Sequence, residues 1–256
     1  MIVREEQWRH IPVLHIVKEA YKDEKLPVVV FFHGFKSAKE HNLHYAYNLA
    51  QKGIRVILPD AHLHGKRTEN LDEIELSIRF WEIVLTNIEE LQFIYEELQS
   101  RHLLEGTKLG VGGTSMGGIT TFGALKMYDW IDVASIMMGA PNFVELATNQ
   151  LLELEEQGFE VPVSETERAQ LFEQLSYFDI TKHPETLNGR PVFMWHGKKD
   201  IVVPFQPTYA FYEAQQSQYA QATENFHFMV DKRGGHEVNR TAMLSAVNWF
   251  ASHLKD

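Results

Sequence analysis

The sequence predicts an α/β fold: one mainly parallel sheet with helices on both faces. Three observations point there. Short apolar runs rich in Val, Ile and Phe recur along the chain, helical patterns separate them, and a glycine-flanked serine stands where one such run gives way to a helix. Parallel strands buried on both faces read as continuous apolar runs, and the crossovers between them need helices.

The elements follow in order. Residues Val3 to Trp8 and Ile11 to Val17 are expected to pair as an antiparallel edge hairpin. The runs Val28 to Phe32, Ile54 to Leu58, Leu109 to Val111, Ala134 to Met138, Val192 to Trp195 and Phe226 to Val230 read as the remaining strands. The clearest helical pattern is expected to start with Asn70 as N-cap and Glu73 three residues on. It carries Ile74, Ile78, Trp81, Leu85, Ile88, Leu91, Tyr95 and Leu98 along one stripe. Its Glu-rich face suits a solvated exterior. Residues 142–190 break the rhythm with two helical patterns and no strand: one through Val144, Leu146, Ala147, Leu151 and Leu154, the other after the capping box Ser164-Glu-Thr-Glu167 with Leu171, Phe172 and Leu175. They read as a helical cap inserted over the sheet, expected to act as a lid, with helices packed permanently on the domain as the alternative. With no repeat or Pro/Gly/Ser linker in sight, residues 1–256 are expected to form one domain.

Composition narrows the function. The chain has 24 basic and 35 acidic residues, a formal charge of −11, which would repel a phosphate backbone, so nucleic acid is not expected as a partner. The longest apolar run, Leu26 to Phe32, is strand-sized and far short of a membrane span. The first ten residues show neither a basic start with an apolar stretch nor a cleavage site, so cytoplasmic residence is expected. With no cysteine in the chain, disulfides, thiolate catalysis and Cys-ligated metals are excluded. Thirteen histidines raise a metal reading at His41/His44 and His62/His64, but no evident carboxylate set completes either pair, and no metal or other cofactor is expected.

The strongest local signal is Gly113-Thr-Ser-Met-Gly117, a G-x-S-x-G between a strand pattern and a helix pattern. In a chain of this composition such a pentapeptide would arise by chance about 0.04 times. A serine on so tight a turn needs neighbours without Cβ atoms, because strand and helix must pass closely. The turn also puts the Met116 N–H at a helix N-terminus, where it can face a developing oxyanion. A dinucleotide fingerprint would need glycine where Ser115 stands, and a P-loop would need Lys-Ser/Thr after Gly117. For the base, the order Ser…Asp/Glu…His leaves the histidines after Ser115: His183 in the insertion, His196 within or just after a strand, His227 inside a strand, His253 in the last helical pattern, and His236, favoured because it lies in the loop Arg233-Gly-Gly-His-Glu237 after the last strand. For the acid, Asp200 lies just past the Val192 strand, on the edge where open α/β sheets carry their sites; Asp231 is the alternative. The second oxyanion donor is expected from the loop Phe32-His-Gly-Phe35, through the Phe35 N–H. The Phe35 ring is read as pocket wall and His33 as a residue that orients the loop at the pocket.

Together these residues resemble the α/β-hydrolase superfamily, and more narrowly the small bacterial esterases of the YjfP/YitV type in its dienelactone-hydrolase and prolyl-oligopeptidase-like branch. The resemblance spans nearly the whole chain. It rests on Ile11-Pro-Val-Leu-His15, Phe32-His-Gly-Phe35, Val56-Ile-Leu-Pro-Asp-Ala61 with His64-Gly65, Gly112 to Gly117, Ser135-Ile-Met-Met-Gly139, Trp195-His-Gly197 with Asp200 and Val203-Pro204, and His236. It implies a triad of Ser115, Asp200 and His236, an oxyanion hole from Phe35 and Met116, and cofactor-free hydrolysis of small to medium carboxylic esters. A peptidase or thioesterase would use the same machinery, and a non-catalytic binding protein could keep the same fold. From the second helical pattern, Leu171 and Phe172 are expected to reach the pocket.

Overall fold

The computed structural model describes residues 1–156, 158 and 164–255. Among the described residues eight strands form one sheet in the order β1-β2-β4-β3-β5-β6-β7-β8. β1 (Ile2–Trp8) and β2 (Ile11–Val17) are the expected antiparallel hairpin at one edge, and β2 continues antiparallel onto β4 (Arg55–Pro59). From β4 onward every neighbour is parallel: β3 (Val28–Phe32), β5 (Leu109–Thr114), β6 (Val133–Met137), β7 (Val192–Gly197) and β8 (Phe226–Asp231). Each expected strand is present, with β5, β7 and β8 running one to three residues further than their apolar runs. The extensions are glycines, polar residues and His196, which the ladder accommodates because its bonds are made by backbone.

Alternate strand residues enter two separate cores, as the pleat dictates. Val28, Val30 and Phe32 join the larger cluster and Val29 and Phe31 the smaller. The smaller core is closed by α1 (Leu43–Gln51) and α8 (Arg240–His253), which bury Tyr45, Leu49, Val247 and Phe250. The larger is closed by α3 (Phe80–Ser100) and α4 (Met116–Met127), with α7 (Phe205–Gln215) contributing Phe205 and Phe211.

The long helical pattern differs from expectation at its start. The N-cap is Asp72, not Asn70. Asp72 Oδ1 accepts from the Ile74 and Glu75 N–H groups at 2.8 and 2.9 Å, while Glu75 Oε2 accepts from the Asp72 N–H at 2.8 Å. This reciprocal capping box satisfies orphan amides at both of its ends; Asn70 and Glu73 share the same spacing, but the helix begins only at Glu73, so Asn70 lies outside it. It opens a short helix, α2 (Glu73–Ile78), separated from α3 at Arg79.

Between β6 and β7 lie α5 (Phe143–Glu156) and α6 (Glu165–Phe178), the two helices expected there. Much of this segment is core rather than covering. Leu146, Ala147, Leu175, Ile180 and Leu187 are buried in the larger cluster, and Leu171 and Phe172 pack half-buried against it. The buried Asp179 carboxylate accepts from the Val144 N–H at 3.1 Å and the Thr181 N–H at 3.0 Å, tying the start of α5 to the end of α6. The buried Arg190 guanidinium donates to the carbonyls of Leu125 and Tyr128, fastening the segment's end to α4. Among the described residues no helix is long and apolar enough to cross a membrane.

Candidate active site

The C-terminal ends of β3, β5, β7 and β8 converge on one edge of the sheet. β5 passes into α4 through Ser115 alone, held at φ 56°, ψ −115°, a region L-residues occupy only under constraint. The flanking glycines are required by space. A Cβ at position 113 would strike the Gly117 backbone, and one at 117 would strike the Phe32 carbonyl. The Ser115 N–H donates to the Met137 carbonyl at 2.8 Å, which locks the turn to the neighbouring strand.

Ser115 Oγ lies 2.8 Å from His236 Nε2, and His236 Nδ1 lies 2.7 Å from Asp200 Oδ2. An imidazole that donates Nδ1–H to the carboxylate keeps Nε2 free to accept the serine hydroxyl, the tautomer a general base needs. The carboxylate is clamped. Its Oδ1 accepts from the Val202 and Val203 N–H groups at 2.9 and 3.0 Å. The buried His196 donates from Nε2 to the Val203 carbonyl at 2.9 Å and stands 3.3 Å from Asp200 Oδ2. Burial alone would push this carboxyl up; hydrogen bonds from His196, His236 and the Val203 N–H outweigh it and hold Asp200 well below the usual carboxylate range. Asp231 serves elsewhere: Oδ1 accepts from the Arg233 and Gly234 N–H groups and Oδ2 from the Asn239 side chain, which shapes the loop that carries His236.

The loop after β3 is held by two histidines. His33 is buried, donates from Nδ1 to the Gly34 carbonyl at 2.8 Å and accepts from the Ala61 N–H at 3.0 Å. Burial brings its pKa down to about 4, against the opposing pull of the Gly34 carbonyl, so the ring is neutral. His64 donates from Nδ1 to the His62 carbonyl and accepts from the Lys36 N–H at 2.9 Å, and its ring meets Phe35 edge-on at 5.4 Å. Phe35 and Met116 thus flank Ser115 on the loop after β3 and at the first position of α4. The buried Lys39–Asp60 ion pair, at 2.6 Å, braces the same corner.

Ser115 opens into a cavity of about 460 Å³. Its apolar wall includes Phe35, Phe80, Ile119 and Leu154, and Ser77, Gln150 and Glu153 are its polar lining. Three residues expected at the pocket lie elsewhere than its lining. His33 is not among its lining residues: the ring is buried, with one nitrogen on the Gly34 carbonyl and the other on the Ala61 N–H after β4. Leu171 and Phe172 do not line it either: α6 presents them to the core, and α5 reaches the cavity instead, with Gln150 held by the Trp81 Nε1–H at 2.8 Å. Ser77 and Phe80 went unnoticed in the sequence because the break at Arg79, which turns them toward the cavity, interrupts an otherwise continuous stripe. His196 was visible only as a strand histidine.

The histidine pairs with metal-like spacing have separate partners. His41 meets the Ser37 hydroxyl, His44 lies against the Tyr45 ring, and His62 lies 3.3 Å from Glu82. Among the described residues no group of three His, Asp or Glu side chains is placed to hold a metal ion.

Residues 44–256 match the prolyl oligopeptidase family. The chain belongs to that family. It is therefore an α/β-hydrolase of a serine hydrolase family. It is 46% identical over 244 residues to YitV of Bacillus subtilis (strain 168), covering 95% of this chain and 96% of that one. Over a stretch of the same length it is 32% identical to esterase YjfP of Escherichia coli (strain K12), again with 95% and 96% covered. The fold is similar to that of TT1662 from Thermus thermophilus, at a TM-score of 0.78 and 19% identity over the whole of both chains.

Proposed function

We propose that this family member is a serine carboxylesterase acting on neutral esters of small to medium acyl groups through an acyl-enzyme. The observation that carries the reading is the hydrogen-bonded run Ser115–His236–Asp200 opening on a cavity with an apolar wall. The esterase name of the 32% identical relative supports it.

In the proposed reaction Ser115 Oγ attacks the ester carbonyl carbon as its proton passes to His236 Nε2. Asp200 holds the imidazole and stabilises its positive charge. The carbonyl oxygen gains the negative charge and is met by the Phe35 and Met116 N–H groups. Collapse breaks the bond to the alcohol oxygen, which takes the proton from His236. Water then attacks the acyl-enzyme through the same base, releasing the acid and restoring the serine.

The cavity volume suits short to medium acyl groups, and α5, through Gln150, Glu153 and Leu154, is the part of the 142–190 segment that would cover them. Of the acidic side chains along this segment, Glu153 lines the cavity, Glu155 pairs with Arg168, Glu167 closes the capping box on Ser164, and Glu160 lies outside the described residues. Glu153 and the net charge of −11 disfavour anionic acyl groups.

Ser115→Ala should lower kcat by about 10⁵ to 10⁶ with the fold retained. A fluorophosphonate should label the native protein at Ser115. Assays on p-nitrophenyl esters, thioesters and aminoacyl amides separate esterase from thioesterase and peptidase; amides turned over faster than esters would overturn the reading.

A further inference from the structure

The turn that follows the proposed triad acid carries two side chains that the fold does not need. Ile201 is 93% exposed and Val202 is 61% exposed, the two most exposed large apolar side chains among the described residues. Both line the cavity that contains Ser115. Adjacent apolar side chains left in water at the mouth of a site forgo burial that a ligand can supply.

Their place in the sheet says which part of a ligand they would meet. In the strand order, β3 and β7 lie on opposite sides of β5. Phe35, on the loop after β3, and Ile201–Val203, on the loop after β7, therefore flank Ser115 from opposite sides. The Phe35 side is that of the proposed oxyanion donor. On the other side the Val202 and Val203 N–H groups hold Asp200, and Asp200 holds His236. The departing alcohol oxygen takes its proton from His236 Nε2, so the group it carries leaves on that side.

Resting on the esterase reading, we propose that Ile201 and Val202 form an apolar lip for the alcohol portion of the substrate, making esters of hydrophobic alcohols the favoured class. In acylation the bond from the carbonyl carbon to the alcohol oxygen breaks, the Ser115 proton ends on that oxygen by way of His236, and the free alcohol leaves across the lip.

The test uses the full chain and the double variant Ile201→Ser/Val202→Ser, whose side chains hold no part of the core. One ester series keeps a butyryl group and varies the alcohol through methyl, butyl and octyl; the other keeps methanol and varies the acyl group through acetyl, butyryl and octanoyl. The octyl-to-methyl ratio of kcat/KM should fall about tenfold or more in the variant, as expected for losing one to two apolar contacts, while the octanoyl-to-acetyl ratio moves less than twofold. A second readout needs no turnover: 1-octanol should slow fluorophosphonate labelling of Ser115 in the native protein and do so about tenfold less effectively in the variant. Failure of the esterase reading would appear as no hydrolysis of either series, and octanol protection would then decide the lip alone. The proposal is overturned by an unchanged alcohol ratio together with unchanged protection, by an acyl ratio that shifts as far as the alcohol ratio, or by light scattering that shows a native dimer converted to monomer by the substitutions.

Discussion

The strand-end loops around Ser115 and the α5–α6 segment beside them are held by different physics. The loops are fixed through backbone atoms. Ser115 is locked by its bond to Met137 and by the glycine contacts at 113 and 117, Asp200 by the Val202 and Val203 amides, and the Phe35 loop by the Ala61 and Lys36 amides on two neutral histidines. The α5–α6 segment is fixed mainly by side chains, with Leu146, Leu175 and Leu187 sunk in the core and Leu154 turned to the cavity. Backbone-determined geometry has few sequence solutions, so changing one residue is felt as lost chemistry. Packing-determined geometry has many, so changes there appear as altered stability or selectivity.

Three measurements break or sharpen that contrast, beyond loss of the nucleophile itself. The largest effect is expected at the acid: Asp200→Asn should lower kcat by roughly 10³ to 10⁴, because the imidazole loses the carboxylate that sets its tautomer, whereas Asp231→Asn should act mainly on loop stability. The reverse ranking in steady-state assays would move the acid to Asp231 and remove Asp200 from the comparison.

The second effect is on folding. His33 is neutral and buried, with a pKa near 4 in the fold against an ordinary 6.5. Between those values the unfolded chain binds a proton that the folded chain does not, so stability from this group is fully present above pH 6.5 and is lost as pH falls toward 4. The loss amounts to about 3 kcal/mol. Urea denaturation of the native protein and of His33→Gln across that range should give a shallower pH dependence in the variant; parallel curves would mean that His33 does not lock the loop as a neutral acceptor.

The smallest effect belongs to the α5–α6 segment. Leu154→Ala should change the preference among acetyl, butyryl and octanoyl esters several-fold, while Phe172→Ala should lower the melting temperature and leave that preference nearly as it was. Kinetics on the three esters beside melting curves would show it. A preference shift from Phe172 alone would reverse the assignment of α5 and α6.

The legible parts of the molecule were those with a local cause. The hairpin, the six further strands, the capping box at Ser164 and the strained serine turn each follow from a few neighbouring residues. The first helix boundary was misplaced because Asn70 with Glu73 and Asp72 with Glu75 offer the same cap spacing in sequence, and only the folded chain, whose helix begins at Glu73, closes the box at Asp72. Leu171 and Phe172 pack on the larger core and are not among the cavity's lining residues, a placement sequence leaves open because an apolar stripe on a helix says that something is covered, not what.

From its own residues the chain determines the strand periodicity, the glycine-bounded turn and the order Ser115, Asp200, His236, since these depend on backbone sterics and on chain direction. Tertiary structure alone decides which distant groups meet. His196 braces the loop of Asp200, Asp231 is taken up by its own turn, α5 rather than α6 reaches Ser115, and Ile201 and Val202 stand uncovered at the cavity. Those outcomes depend on the packing of elements far apart in sequence, where many apolar residues are interchangeable and only the assembled sheet fixes which of them faces the site.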